Sequence, residues 1–235
     1  MPVGIGVIAY GANEAAIVDA LTSSRKHDVD IYAVDRQKNP FIYDRARDHV
    51  VIPDLSNVNA IRDFFGQHSD RLDFIVAFGN ETPVIAGVRD VIEQSIGVRV
   101  ICPASEYAIE RSKVHQRLLL DKVSPSVNPR YMVFDPKSGG STDTVRDKFN
   151  RYVEELNCQV AIKPDHPGYG KGVGVSGDHF STLDEMWEHF LSLYEGGRVI
   201  VEEKIVGEEF SMQYFSDGLT LVPTPSVRDY KRAYD

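Results

Sequence analysis

The first hundred residues alternate between short apolar runs and stretches with the spacing of an amphipathic helix. Val3–Ala9 is an uninterrupted apolar run, which is typical of a strand buried on both faces of a parallel sheet. We predict three further strands in this part of the chain, at Asp30–Val34, Asp73–Phe78 and Val98–Cys102. Helical stripes separate the strands, as where Ile61, Phe64 and Phe65 stand at i, i+3 and i+4. This alternation predicts a doubly wound parallel sheet with right-handed crossovers.

Sheets of this kind bind ligands outside the carboxyl ends of their strands. In this sequence those ends are expected at Tyr10–Glu14, Asp35–Pro40, Gly79–Pro83 and Pro103–Ser105. We therefore expect a small-molecule pocket to be lined by these four segments.

The second half of the chain has the pattern of a mixed α+β region with antiparallel strands. Ser105 is expected to cap a helix that runs to about Val123, and Thr182 with Glu185 forms a capping box for a later helix. Helix 145–156 and strands 130–134, 159–163, 198–204, 208–216 and 219–222 complete the prediction. The Asp217-Gly218 pair indicates a two-residue hairpin between the last two strands.

Composition excludes several classes of protein. Of the 235 residues 42% are hydrophobic, which argues against disorder, and no apolar run reaches the roughly 18 residues of a membrane span. The net charge of −9 disfavours binding to nucleic acid or to anionic lipid. The two cysteines, Cys102 and Cys158, cannot form a disulfide framework, and the histidines show no spacing of metal ligands. We expect a soluble cytoplasmic protein.

The segment AIKPDHPGYGKGVGV, residues 161–175, is the richest in chemical signals. Lys163 ends a predicted strand, and glycines alternate around Lys171 at positions 168, 170, 172 and 174. Glycine lets main-chain N–H groups approach phosphate oxygens, and lysine supplies the countercharge. The segment is not a Walker A loop, which would need glycine in place of Asp165 and Ser or Thr in place of Gly172. We interpret it as a hairpin that covers a nucleotide, with a mobile surface hairpin as the alternative.

A second segment, VIVEEKIVGEEFS at residues 199–211, places acids on both sides of Gly207. A strand with a free edge can read adenine through its main-chain N–H and C=O groups. Glu209 stands seven residues after Glu202, and its carboxylate could accept from ribose hydroxyls. The alternative is a hairpin with solvated glutamates.

Six stretches of the sequence together resemble one enzyme family. They are VIAYGANEAA, AVDRQKNP, FGNETPVIAGV, ERSKVHQRLL, IKPDHPGYGKGV with VEEKIVGEE, and PTPSVRDYKRAYD. In this order, and covering nearly the whole chain, they resemble the ATP-grasp ligases and, among these, the phosphoribosylamine–glycine ligases (glycinamide ribonucleotide synthetases).

The resemblance implies an α/β fold in which a Rossmann-like parallel-sheet domain precedes the first part of an ATP-grasp domain. Residues 1–104 would be the pre-ATP-grasp substrate domain, and residues 105–126 a connecting helix and linker. Residues 127–200 would form the α+β lid with the glycine-rich loop. Residues 201–235 would hold the hinge strand and the start of the central antiparallel sheet.

The resemblance also implies a role for individual residues. Lys113 and Lys163 would hold the α- and β-phosphates of ATP, and the loop around Lys171 would close over the triphosphate. The ATP-binding residues so implied are Lys113, Lys163, Gly168, Gly170, Lys171, Gly172, Glu202, Glu203, Lys204, Ile205 and Glu209. Among these, Glu202–Ile205 would form the hinge strand that contacts adenine, and Glu209 would accept from the ribose.

The second substrate would bind at the carboxyl ends of the first domain's strands. The residues implied to line this phosphoribosylamine pocket are Gly11, Gly79, Asn80, Glu81 and Pro83, with Asp229, Lys231 and Arg232 reaching it from the other side. Lys163, Lys171 and Arg232 would be catalytic.

The chemistry implied is the activation of a carboxylate. ATP would phosphorylate glycine to glycyl phosphate, and the amine of 5-phosphoribosylamine would displace phosphate to give glycinamide ribonucleotide, a step of purine biosynthesis. Lysines and Mg²⁺ would neutralise the transferring phosphoryl group. We expect the Mg²⁺ ligands and much of the glycine site in a segment after residue 235. A complementary C-terminal fragment is therefore an expected partner, and weak or no activity is expected of the chain alone.

The sequence departs from the family pattern in two places and leaves three alternatives. Ala12-Asn13-Glu14-Ala15 stands where the family has Arg-Glu-His, and Tyr230 replaces a histidine. Another ATP-grasp ligase and a non-catalytic nucleotide-binding module are two alternatives. The third is a dinucleotide oxidoreductase, since the Gly11 turn and Asp35 imitate its fingerprint; however, Gly4 and Gly6 lie inside the strand and not in the turn.

Overall fold

A computed structural model of the chain describes residues 1–77, 79, 81–167 and 172–228. As far as it is described, the chain forms two compact units. The first comprises Met1–Asn128 with Pro164–Gly172, and the second comprises Pro129–Lys163 with Val173–Asp235. The predicted α/β class is confirmed by a five-stranded parallel sheet in the first unit and antiparallel sheets in the second.

The first unit is a parallel sheet flanked by helices. Its strands are β1 (Val3–Ala9), β2 (Val29–Asp35), β3 (Ala46–Val51), β4 (Phe74–Val76) and β5 (Arg99–Ile101), and its helices are α1 (Ala12–Thr22), α2 (Pro40–Tyr43), α3 (Val58–Gly66), α4 (Glu81–Ile85), α5 (Val88–Ile96) and α6 (Lys113–Val123). The strand order is β3-β2-β1-β4-β5. Two apolar clusters, one around Phe65 and Ile75 and the other around Val18 and Ile31, form the core between this sheet and its helices.

Two details of this unit differ from the sequence-based prediction. Strand β3, with the sequence ARDHVV, was not predicted because it lies at the sheet edge, where polar side chains can remain solvated. Ser105 does not cap a long helix, because its N–H donates to the Asp90 carboxylate at 3.0 Å. Two short 3-10 turns follow, and Ser112 caps α6 by accepting from the His115 N–H at 3.0 Å.

The glycines inside β1 are there for packing. A Cβ at Gly4 would lie 1.7 Å from the Arg71 carbonyl oxygen, and a Cβ at Gly6 would lie 2.5 Å from a side-chain carbon of Ile75. The backbone therefore approaches its neighbours too closely for any side chain at these positions.

The second unit is a four-stranded sheet with two helices. Its elements are β6 (Tyr131–Phe134), α7 (Thr142–Glu155), β7 (Val160–Pro164), β8 (Gly174–Val175), α8 (Leu183–Tyr194) and β9 (Val199–Glu203), in the strand order β6-β9-β7-β8. The predicted capping box of α8 is confirmed, since Thr182 accepts from the Glu185 N–H and Glu185 accepts from the Thr182 N–H. Phe149 of α7 and Phe190 of α8 join one apolar cluster with alternate residues of the strands. The helices therefore cover one face of this sheet.

Two small antiparallel pairs follow β9. They consist of β10 (Phe210–Ser211) with β13 (Val227–Arg228) and β11 (Tyr214–Ser216) with β12 (Leu221–Pro223). The predicted continuous strand 208–216 is therefore broken after Ser211. The β11–β12 loop has four residues and not two, because the Asp217 carboxylate accepts from the N–H groups of Leu219 and Thr220 at 2.9 and 2.7 Å.

No helix in the described part of the chain is long and apolar enough to cross a membrane.

Candidate functional site

An ion pair lies on the face of the second unit's sheet that the helices leave uncovered. Lys163 of β7 donates from Nζ to Glu202 Oε2 of β9 at 2.6 Å. The Glu202 side chain is 2% exposed, whereas that of Lys163 is 24% exposed. The buried carboxylate is therefore compensated by a cation that retains contact with solvent. Such an ammonium group is held in place and can interact with an anionic ligand.

Glu203, the next residue of β9, is directed to a different partner. Its carboxylate accepts from the Arg130 N–H and from Arg130 Nε, both at 2.9 Å, and its own N–H donates to the Arg130 carbonyl at 2.9 Å. The main-chain and then the side-chain hydrogen bond from Arg130 lower the pKa of Glu203. The side chain of Glu203 therefore fixes the start of β6 to the end of β9.

Lys204 links the end of β9 to its surroundings. Its N–H donates to the Gln159 carbonyl at 2.9 Å, and its ammonium donates to the Ser176 carbonyl at 2.6 Å and lies 3.7 Å from Asp178 Oδ2. Ile205, which follows, is 69% exposed. Of the predicted hinge residues, Glu202 thus faces Lys163, whereas Glu203 and Lys204 are engaged elsewhere in the same unit.

In the first unit, the start of the glycine-rich segment is anchored to the N-terminus of α6. Asp165, 7% exposed, accepts at Oδ1 from the Ser112 hydroxyl at 2.7 Å and from the Val114 N–H at 2.9 Å. Lys113 Nζ donates to the His166 carbonyl at 2.7 Å. A carboxylate at a helix N-terminus is favourable. Asp165 was not among the predicted site residues, although an acid directly after Lys-Pro was its signal.

The remaining loop residues are only partly described. Gly168, Gly170 and Lys171 lie outside the described residues, so their part in covering a nucleotide stays a prediction. Gly172 is described, and it adopts a φ of +79°, a conformation that favours glycine.

The predicted pocket of the first unit is organised around Glu14, which was not among the predicted site residues. Glu14 is 2% exposed, and its Oε2 accepts from the Gly11 N–H at 2.9 Å. A Cβ at Gly79 would lie 1.6 Å from Glu14 Oε1. Glu14 therefore lies between two glycine turns, and its signal was the spacing of a capping-box glutamate three residues after Gly11.

The other pocket residues lie at the start of α4 or outside the described part. Glu81 is the first residue of α4, and Pro83 is buried in the same helix. Asn80, Asp229, Lys231 and Arg232 lie outside the described residues.

A second buried acid lies at the end of β2. Asp35 is 2% exposed, and its Oδ1 accepts from the Gln37 N–H at 3.4 Å. Burial raises the pKa of Asp35, the Gln37 hydrogen bond lowers it, and the charge of Glu14 raises it again. Next to it, Arg36 donates to the Tyr10 hydroxyl at 2.5 Å, with its guanidinium carbon 4.9 Å from the Tyr10 ring centroid.

Among the described residues, no group of three or more His, Cys, Asp or Glu side chains could hold a metal ion.

Comparison with known sequences identifies relatives over almost the whole chain. Residues 136–235 match the family "Phosphoribosylglycinamide synthetase, ATP-grasp (A) domain". The phosphoribosylamine–glycine ligase of Methanopyrus kandleri is 35% identical over 235 residues, which is 97% of this chain and 49% of the relative. The resemblance stated from the sequence is thus confirmed, and the chain spans about half the length of the curated relatives it matches.

Comparison with solved structures confirms the fold. The phosphoribosylamine–glycine ligase of Thermotoga maritima has a TM-score of 0.67 at 21% identity, over 98% of this chain and 51% of that one. The N5-carboxyaminoimidazole synthetase of Staphylococcus aureus, solved with ADP, has a TM-score of 0.69 at 14% identity, over 99% of this chain and 56% of that one.

Proposed function

Because the chain belongs to the phosphoribosylamine–glycine ligase family, we propose that it forms the nucleotide-binding and phosphoribosylamine-binding part of such a ligase. The reaction is the ATP-dependent joining of glycine to 5-phosphoribosylamine through glycyl phosphate, which gives glycinamide ribonucleotide, ADP and phosphate. It is a cytoplasmic step of purine biosynthesis.

The observation that carries this proposal is the Lys163–Glu202 pair. Its ammonium is oriented by a buried carboxylate and is still partly exposed, which suits a lysine that binds a phosphate. Lys113 would supply further positive charge, and Lys171 would do so from the glycine-rich loop. When bound, ATP supplies the phosphoryl group that turns the glycine carboxylate oxygen into a leaving group. The protein's part is to place and neutralise this group and to exclude water from the acyl phosphate.

The hydrogen bonds of the hinge limit which of its main-chain groups can bind adenine. The N–H groups of Glu203 and Lys204 already donate within the second unit. We therefore assign the main-chain contacts with adenine to the Lys204 carbonyl and the Ile205 N–H, with the exposed Ile205 side chain covering the ring. Glu209 keeps its proposed role as an acceptor for the ribose.

The second substrate would bind at the carboxyl edge of the parallel sheet. Gly11, Gly79, Glu81 and Pro83 lie where β1 and β4 end, which is the usual place for a ligand in such sheets. Asn80, Asp229, Lys231 and Arg232 complete this proposed set.

The strands after β9 support a partner that completes the ATP-grasp domain. Large apolar side chains are exposed on both small sheets, among them Phe210, Phe215, Leu221, Val222 and Val227, and beside the sheets at Ile205, Val206 and Leu219. Two-stranded sheets without a core are at best marginally stable alone. We propose that they pack against the segment that the relatives possess in addition, and that this segment holds most of the Mg²⁺ ligands and the glycine site.

The test combines this chain with the part of the Methanopyrus kandleri ligase that it does not match. Release of ADP is measured with ATP, Mg²⁺, glycine and phosphoribosylamine formed in situ from ribose 5-phosphate and ammonia. We expect ADP release that requires both polypeptides and both acceptor substrates. Nucleotide binding without turnover in the mixture would instead favour a non-catalytic binding module, and turnover with a different carboxylate or amine would favour another ATP-grasp ligase.

A further inference from the structure

Two buried carboxylates at the carboxyl edge of the parallel sheet each have one oxygen without a hydrogen-bond partner among the described residues. These oxygens are Glu14 Oε1 and Asp35 Oδ2, and each residue is only 2% exposed. A desolvated carboxylate oxygen without a donor is unfavourable, and native proteins rarely retain one. The pair therefore indicates a bound ligand that donates a hydrogen bond to each carboxylate.

The geometry fixes the direction of both groups. The other oxygen of each carboxylate is held by a main-chain donor, the Gly11 N–H for Glu14 and the Gln37 N–H for Asp35. Glu14 Oε1 lies against Gly79, where even a methyl group would have to displace it. Both unpartnered oxygens thus belong to the strand ends that line the predicted pocket.

A cation lies at the same strand end. Arg36 follows Asp35 directly, is exposed, and is held over the Tyr10 ring by a hydrogen bond to the hydroxyl. A guanidinium group at the rim suits a phosphate, and carboxylate acceptors suit hydroxyl donors. A sugar phosphate carries both a phosphate group and hydroxyl donors.

We propose that Glu14 and Asp35 accept hydrogen bonds from the ribose hydroxyl groups of a ribosyl phosphate, and that Arg36 binds its phosphate. This inference rests on the proposed function, because it names the groups that would recognise the sugar of phosphoribosylamine. The hydroxyls are assigned to the carboxylates because an ionised carboxylate only accepts hydrogen bonds and a hydroxyl group can donate one.

The test uses ribose 5-phosphate and 2-deoxyribose 5-phosphate, titrated separately into the 235-residue chain by calorimetry. We expect the wild-type chain to prefer the ribose compound by on the order of tenfold, since one hydrogen bond to a charged acceptor is lost with the hydroxyl. Glu14→Gln and Asp35→Asn keep the shape of the side chains and remove the charge, so at least one of them should abolish this preference. Arg36→Met should lower the affinity for both compounds equally. Glu106→Gln, at an exposed site of the same unit, should change neither affinity.

ATP binding by the same proteins separates recognition from folding. Both carboxylate variants should bind ATP as the wild type does. Equal affinity of the wild type for the two sugar phosphates, or no binding of either, would overturn the inference, as would a parallel loss of sugar phosphate and ATP binding. If the expected sugar preference is found but ATP does not bind, the proposed ligase function fails while this site remains.

Discussion

Removing the ammonium of Lys163 should destabilise the protein as well as weaken its binding of ATP. In the variant Lys163→Met, Glu202 keeps a carboxylate that is 2% exposed and loses the partner at 2.6 Å. Removing one member of a buried ion pair costs about 3–5 kcal/mol. For a chain of 235 residues each kcal/mol lowers the melting temperature by about 2–4 °C, so we expect a decrease of roughly 6 °C or more.

The double variant Lys163→Met/Glu202→Leu separates the two effects. Replacing a buried ion pair by apolar side chains is often neutral or stabilising. The free energy of unfolding of the double variant should therefore lie within about 1 kcal/mol of the wild-type value or above it. ATP affinity should nevertheless stay reduced by about 10- to 100-fold in both variants, because a charge-assisted hydrogen bond to phosphate is missing.

Urea and thermal unfolding followed by circular dichroism measure the first effect, and calorimetric titration with ATP measures the second. Lys137→Met, at an exposed lysine of the same unit, is the matched control and should change neither. A single variant as stable as the wild type would refute the reasoning from burial. A double variant with wild-type ATP affinity would refute the role of Lys163 in phosphate binding.

Three further outcomes follow from the environments of single residues. The pKa of Asp35 is raised in the folded state, so folding favours the protonated carboxyl over the ionised one. The free energy of unfolding therefore decreases as the pH rises through this pKa. Asp35→Asn should therefore be more stable than the wild type at pH 7, and urea unfolding should show the gain vanishing towards pH 3. Burial raises the pKa of Cys102 to about 11, so iodoacetamide at pH 8 should modify Cys158 and spare Cys102, as read by mass spectrometry. Asp165→Ala should lower the free energy of unfolding by more than the roughly 1 kcal/mol expected for Ser112→Ala, because it removes an acceptor from two donors at once.

The sequence was sufficient for the central strands because most of their residues are buried. Val3–Ala9 and the other apolar runs could only be interior strands, and the capping box at Thr182 is a local motif that tertiary contacts did not override. Strand β3 escaped prediction because an edge strand carries polar residues. The β11–β12 loop was misjudged because the Asp217 side chain supplies its own turn of four residues.

The contacts of the candidate site depend on strand order, which no local pattern contains. Lys163 and Glu202 are 39 positions apart and meet only because β9 lies beside β7. Glu14 and Gly79 meet because β4 pairs with β1. Individual residue types and spacings could therefore suggest a nucleotide site, but the partner of each charged group required the fold.

The buried polar groups of the described chain differ in how they are compensated, and the difference is informative. Glu202 has Lys163, Asp165 has the N-terminus of α6, and the Ser176 hydroxyl bonds to both main-chain groups of Val160 at 3.0 Å. In these three cases the free-energy cost of burying the polar group is offset by partners within the same unit. Selection for stability alone would produce this arrangement. Glu14 and Asp35 are as deeply buried, yet each retains an oxygen without a donor among the described residues. Local departures from the rules of stability are expected at functional sites. The carboxyl edge of the parallel sheet, where these two acids lie, is therefore the part of the first unit whose arrangement is best explained by binding.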